Sequence, residues 1–374
     1  HLFPYTTLFR SKGVDGFRMD VINAIAKMDS FPDAPRPENH TMKYVFCPQY
    51  YFNQPGIHEF LQEMNREVLS KYDIMTVGET CCVTTDMAKL YTGEDRNELN
   101  MVFQFELMGI DNGEKWKWKY RPWKLTEFKE IMTKWQTELE SVGWNSLYLN
   151  NHDQPRMVSR FGNDRKYRVE SAKMLATMLH TLKGTPFIYQ GEEIGMTNVA
   201  FDSIYDYRDI ESLNFYNIAV NHEKMDPRSA LEAIHRIGRD NARTPMQWSD
   251  EENAGFTAGK PWIKVNPNYK WINVRQAMED ADSILNYYKK LILLRREYDV
   301  MVYGKYIPLL EDDEDIYSYI RQLGRSRLLV ILNFFDKNPL FLLPEWLEYN
   351  EAKLLISNYR TDGKDDISEI RLRP

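Results

Sequence analysis

Short runs of consecutive apolar residues, each closing on a polar one, alternate with stretches in which apolar side chains recur every three to four positions. The runs at 13–21 (GVDGFRMDV), 73–79 (DIMTVGE), 100–106 (NMVFQFE), 144–153 (WNSLYLNNHD) and 185–193 (TPFIYQGEE) read as buried parallel strands. Between them, Ile57, Phe60, Leu61, Met64, Val68 and Leu69 keep to one helical face, as do Phe128, Ile131, Trp135 and Leu139. The segment 283–298 (SILNYYKKLILLRREY) predicts a further helix. From about Met301 onward, the alternation in DIYSYI and RLLVILNFF predicts a small antiparallel β domain. The class is therefore α/β, with βα repetition first. The eleven residues before Lys12 (HLFPYTTLFRS) follow neither period.

Composition narrows the function. Of 374 residues, 43% are hydrophobic and 28% charged, which suits a globular domain with a large core. A net charge of -7 argues against a basic nucleic-acid surface and leaves a neutral small molecule as the better substrate class. No apolar run reaches the roughly 18 residues a membrane span needs, and the head lacks the order of a signal peptide, so the cytoplasm is the expected compartment. Cys47, Cys81 and Cys82 are odd in number, two of them adjacent, and read as free thiols.

Asp20, Glu79 and Asp153 each end a different predicted strand, the position at which a parallel α/β barrel collects its active-site groups. Three carboxylates would then converge. Arg18, two residues before Asp20, points to the same side of its strand and can keep Asp20 ionised. Such a set suits glycoside hydrolysis with retention, in which one carboxylate attacks the anomeric carbon while a protonated carboxyl serves the leaving oxygen. Structural salt bridges and magnesium binding also use strand-end carboxylates, so spacing alone leaves those readings open.

The stretches GFRMDV, TVGET, NNHDQPR and RDNARTPMQW resemble the signatures of the alpha-amylase superfamily of glycoside hydrolases (family 13), and within it the oligo-1,6-glucosidase group. The resemblance runs over essentially all of Gly13 to Pro374. It implies Asp20 as nucleophile, Glu79 as general acid/base and Asp153 as transition-state stabiliser. Arg18, His152 and Gln154 would line the pocket of the cleaved glucose, and Arg239 would hold the hydroxyls of the terminal glucose, which implies an exo-acting pocket. Without the resemblance, His152 reads as a core histidine and Arg239 as an interdomain salt bridge. Val21, directly after the nucleophile, would bias cleavage toward alpha-1,6 links by about 1 to 3 kcal/mol, or simply pack the strand end.

By the same resemblance GVDGFRMDV corresponds to the fourth strand of an eightfold βα barrel. The expected organisation is a non-native head (1–11), the C-terminal part of the catalytic barrel lacking about the first three βα units (12–300), and an incomplete C-terminal β-sandwich domain (301–374). The missing units would carry the DxVxNH-type motif and the calcium loop, so no cofactor or metal is expected for this stretch. An open barrel exposes two strand edges, and the chain alone is expected to be unstable or inactive. The substrate would be a short alpha-1,6-linked oligosaccharide, with neither nucleic acid nor membrane as partner and a monomeric intact parent.

Two alternatives stay open. Trehalose-6-phosphate hydrolase shares most of these motifs, and EKWKWKYRPWK supplies Lys115, Lys117, Lys119, Arg121 and Lys124 beside aromatic rings for a phosphate or a sugar, unless the run is a solvated loop. A non-catalytic amylase-like binding subunit is the other, disfavoured because all three carboxylates are present. EDDED (311–315) reads as an exposed turn, Glu192 and Glu193 as pocket rim or strand-end salt bridges, and Cys81 and Cys82 as loop thiols close to the acid.

Overall fold

The computed structural model describes residues 12–30, 32–36, 44–113, 116–361 and 366–374. The expected head, 1–11, and Lys115 lie outside them. Two compact units are present. The first comprises His1–Leu107, Ile131–Leu147 and Lys183–Thr185, the second Met108–Glu130, Tyr148–Leu182 and Pro186–Pro374.

The first unit holds the parallel sheet. Strand β1 (Gly16–Met19) pairs in parallel with β2 (Met75–Glu79), and β2 with β3 (Met101–Phe103). A parallel bridge from Val102 to Asn145 extends the order, and the Thr185 N–H donates to the Asn145 carbonyl at 2.8 Å. All five predicted strands therefore appear in sequence order. The last two are reduced to Ser146–Leu147 and Thr185–Pro186.

Helices Gly56–Glu67 and Thr85–Thr92 cross over between these strands. Ile57, Leu61 and Met64 face the core with Ile22, Leu99, Val102, Trp135 and Leu139. Each such side chain stabilises the fold by roughly 1.5–3 kcal/mol. Phe60, assigned to that face by periodicity, is instead 49% exposed. The Thr84 hydroxyl caps the second helix by accepting from the Met87 N–H at 3.3 Å.

In the second unit, the predicted helix runs Ile284–Glu297, capped by Ser283. The antiparallel strands Lys305–Leu309, Ile316–Leu323 and Ser326–Asn333 follow, with Ile316–Leu323 in the centre. Arg321 is fully buried there, yet its guanidinium donates to the carbonyls of Gly304, Met301 and Thr181. Those bonds anchor the sheet to the end of helix Arg168–Thr181 and replace the water the guanidinium gave up. The acidic run 311–315 is a turn, and the Lys129 ammonium donates into it, to the carbonyls of Leu310, Asp313 and Ile316.

Candidate active site

In the first unit the ends of β1 and β2 carry Arg18, Asp20, Val21 and Glu79. Register sets Arg18 opposite Val77 and Met19 opposite Gly78, so one step further Asp20 lies beside Glu79. The Arg18 guanidinium spans both carboxylates, 2.5 Å from Asp20 Oδ1 through Nη1 and 2.9 Å from Glu79 Oε2 through Nη2. Asp20 is largely open to solvent, whereas the Glu79 side chain is 8% exposed.

Backbone strain marks the same spot. Val21 has φ 40° and ψ 43°, a left-handed conformation that costs a β-branched residue roughly 1–3 kcal/mol. The bend brings the Val21 N–H within 3.3 Å of Glu79 Oε2. Gly78 precedes Glu79, and a Cβ there would lie 2.7 Å from Leu99 Cδ1 and 2.8 Å from Ile22 Cγ2. Only glycine lets the strand lie this close to its core neighbours. Asn23, fully buried, donates to the Cys81 carbonyl at 2.6 Å and accepts from the Cys81 N–H at 3.3 Å, which pins the loop after Glu79. Burial, with Glu79 adding its charge, pushes the Cys81 thiol up to about 11, so it is a neutral thiol near pH 7.

The second unit carries the other predicted residues. Asp153 follows a tight turn in which its N–H donates to Asn151 Oδ1 at 2.7 Å. Its carboxylate meets three basic groups, with Oδ1 accepting a short hydrogen bond from Arg243 Nη2, Arg239 Nη1 3.6 Å from the same oxygen, and His152 Nε2 3.7 Å from Oδ2. Gln154 turns its amide oxygen to Arg160 at 2.8 Å, and Arg160 is itself buried in an ion pair with Asp111. The polar groups of Gln154 thus serve the inner scaffold as well as the loop surface.

Sequence reasoning missed Arg243 and Asp209. Arg243 closes RDNAR and also donates through Nε to the His152 carbonyl at 2.9 Å. Asp209, whose side chain is 1% exposed, accepts from Arg239 Nε at 3.0 Å and Nη2 at 2.5 Å and lies 3.7 Å from Arg243 Nη1. Burial alone would raise the Asp209 carboxyl, but the Arg239 hydrogen bonds and charge overcome it and hold it below the ordinary range. The one signal in the sequence was D-I-E-S, an N-cap pattern, since Asp209 also caps helix Ile210–Tyr216.

Lys115 lies outside the described residues, and of the rest of the basic run only Trp116–Tyr120 departs from the expected solvated loop, since 121–124 is irregular and largely exposed. Trp116–Tyr120 is a strand in which Trp118 is buried and stacked on Phe215 at 4.3 Å, while Trp116 and Tyr120 stay exposed, Lys117 pairs with Glu211 at 2.5 Å and Arg121, just beyond the strand, with Glu127 at 2.8 Å. Both cations are already matched by carboxylates. Glu192 is no rim residue either, being 1% exposed and hydrogen-bonded by the Tyr288 hydroxyl at 3.0 Å. Among the described residues, no group of three His, Cys, Asp or Glu is arranged to hold a metal ion.

The strand-end carboxylates with their arginines lie inside a stretch, residues 3–304, that matches the model of the alpha-amylase catalytic domain. The chain belongs to the alpha-amylase family. Within that family it is 63% identical over 363 residues to an oligo-1,6-glucosidase of Parageobacillus thermoglucosidasius, and 57% identical to one of Bacillus cereus. Either alignment covers 97% of this chain, which spans 64% of the length of each relative. A trehalose-6-phosphate hydrolase of Bacillus subtilis (strain 168) is 43% identical over 377 residues, covering 100% of this chain and 65% of the relative. Among solved structures, trehalose-6-phosphate hydrolase of Bacillus licheniformis superposes with a TM-score of 0.93 at 46% identity, covering 100% of this chain and 66% of that one. No helix of the described residues is long and apolar enough to cross a membrane.

Proposed function

We propose that this alpha-amylase family chain carries the reacting groups of a retaining, exo-acting alpha-glucosidase that hydrolyses alpha-1,6 bonds in isomaltose and short isomalto-oligosaccharides. One observation carries the reading: a single guanidinium, Arg18, holds Asp20 and Glu79 side by side at the end of β1 and β2. Close carboxyl spacing is what double displacement requires, since no water has to fit between nucleophile and sugar.

In this mechanism the exposed Asp20 carboxylate attacks the anomeric carbon as Glu79 gives its proton to the departing glycosidic oxygen. A covalent glucosyl ester forms and the aglycone sugar leaves. Glu79, now the base, removes a proton from water, which attacks the anomeric carbon, expels the Asp20 carboxylate and releases glucose with its original configuration. Asp153, held by Arg243 and Arg239, is the proposed stabiliser of the oxocarbenium-like charge. Arg18, Val21, His152, Gln154 and Arg239 are the proposed sugar contacts, within a (β/α)8-type catalytic domain followed by an antiparallel β domain. Identity above 50% to three oligo-1,6-glucosidases supports the linkage. Against trehalose 6-phosphate stands the pairing of Lys117 and Arg121 with carboxylates, which leaves neither cation free for a phosphate.

The test is glucose release from isomaltose, maltose and trehalose 6-phosphate. The chain is assayed as written and also fused behind the N-terminal third of the Parageobacillus thermoglucosidasius relative, with Asp20→Asn as blank. Asp20-dependent release fastest from isomaltose supports the reading. Preference for trehalose 6-phosphate assigns the phosphate-specific alternative, and absence of release from the fused form assigns the binding-subunit alternative.

A further inference from the structure

The arginines of RDNAR are held by a carboxylate that the same motif puts in place. Asp240, the second residue of the motif, is fully buried, and its Oδ2 accepts from the backbone N–H of Arg208 at 2.7 Å and of Asp209 at 2.9 Å. That fixes the chain at the start of helix Ile210–Tyr216. Asp209 then has one oxygen, Oδ1, turned toward the arginines, while Oδ2 accepts from the Ser212 N–H at 3.2 Å and hydroxyl at 3.0 Å.

We infer that Asp209 is a positioning residue: a buried anion that holds the guanidiniums of Arg239 and Arg243 in the orientation in which both reach Asp153. The inference rests on the reading of Asp153 and Arg239 as site residues. Its physical basis is the cost of placing two like charges together. Arg239 and Arg243 both approach Asp153 Oδ1, and a single half-exposed carboxylate does not offset two adjacent cations. Asp209 supplies the second negative charge from behind, out of water, where a charge-assisted hydrogen bond is strongest. Glu211, 3.3 Å from Arg239 Nε, adds a third, but it is 41% exposed and shared with Lys117. Remove Asp209 and the guanidiniums lose their rear anchor, so Asp153 and the groups meant for sugar hydroxyls lose their alignment.

The test separates positioning from simple structural support. Asp209→Ser keeps an oxygen that can cap the helix and removes the anion; Asp209→Ala removes both. Arginine reactivity toward phenylglyoxal is read residue by residue from peptide masses, and kcat and KM are measured on isomaltose. The expected result for the serine variant is several-fold faster labelling of Arg239 and Arg243, with the buried Arg156 and Arg321 still protected, and a loss in kcat/KM of roughly a hundredfold. The labelling does not depend on turnover, so a failure of the glucosidase reading leaves it interpretable. Unchanged labelling of Arg239 and Arg243 overturns the proposal. So does labelling that spreads to Arg156 and Arg321, which marks a structural role, or fast labelling with unchanged kinetics in an active enzyme.

Discussion

Arg156, the last residue of NNHDQPR, is 1% exposed and is the side chain on which the second unit's loops converge. Its Nε donates to the Asn241 carbonyl at 3.0 Å, Nη1 to Gln190 at 2.6 Å and Nη2 to Ala242 at 3.3 Å. Burial pulls the guanidinium down to about 10, with Tyr189 and Glu193 countering it, so it remains charged at neutral pH. In Arg156→Met the apolar stem is retained and all three donors vanish. The Ala242 carbonyl keeps the Tyr189 hydroxyl at 2.9 Å, but no other donor to Asn241 or Gln190 is found among the described residues. Two orphaned carbonyls at about 1–3 kcal/mol each destabilise by roughly 2–6 kcal/mol, and relief from burying a cation offsets part of this. The expected net loss is about 3–4 kcal/mol, a large share of a typical domain's stability. Guanidinium chloride unfolding followed by tryptophan fluorescence measures it, with Arg156→Lys intermediate because one ammonium can serve only part of the set. A loss below about 1 kcal/mol for the methionine variant would refute the reasoning.

Three further outcomes follow from the same structure. Burial raises Glu192 to about 8 and lowers His180 to about 4. A raised carboxyl binds its proton more tightly folded than unfolded, so its contribution falls between about pH 4.5 and 8; a lowered histidine contributes stability that rises between about pH 4 and 6.5. The two slopes oppose each other up to about pH 6.5, and above it only the Glu192 loss remains. Melting temperatures at pH 6.5 and 8 should therefore fall in the wild type and stay nearly level in Glu192→Gln; parallel behaviour contradicts this. Gly78→Ala should destabilise by about 1–3 kcal/mol, because its Cβ meets Leu99 and Ile22 and both are fixed in the core; an unshifted melting curve speaks against that packing. Val21→Gly should leave stability unchanged or raise it by up to about 1 kcal/mol, since release of left-handed strain outweighs the entropy glycine adds to the unfolded chain; a loss above about 1 kcal/mol in the same unfolding assay contradicts it.

The parallel strands were legible because each is an apolar run closed by a polar residue, and β1, β2 and β3 fall within their predicted stretches. Phe60 was misplaced because helical period assigns a face but not the width that is covered. The basic run misled by composition: Trp116, Trp118 and Tyr120 alternate with lysines at the strand period, and that alternation was the better guide. Asp20, Glu79 and Asp153 stood out as charges ending apolar runs. Arg156, Arg321 and Lys129 did not, because backbone carbonyls hold them and no side-chain pattern records a carbonyl's position. Asp209 was hidden for a related reason. Its cap pattern gives the helix start, but the meeting with Arg239, thirty positions on, exists only in three dimensions.

The central claim is that Asp20, beside Glu79, attacks an alpha-1,6-linked glucose. Its most direct test is the rate of glucose release from isomaltose by the chain fused behind the N-terminal third of its Parageobacillus thermoglucosidasius relative, measured against Asp20→Asn. The account predicts release that exceeds release from maltose and trehalose 6-phosphate, vanishes in the variant, and yields glucose first in the alpha configuration. Release that survives Asp20→Asn, or first appears as the beta anomer, would contradict it.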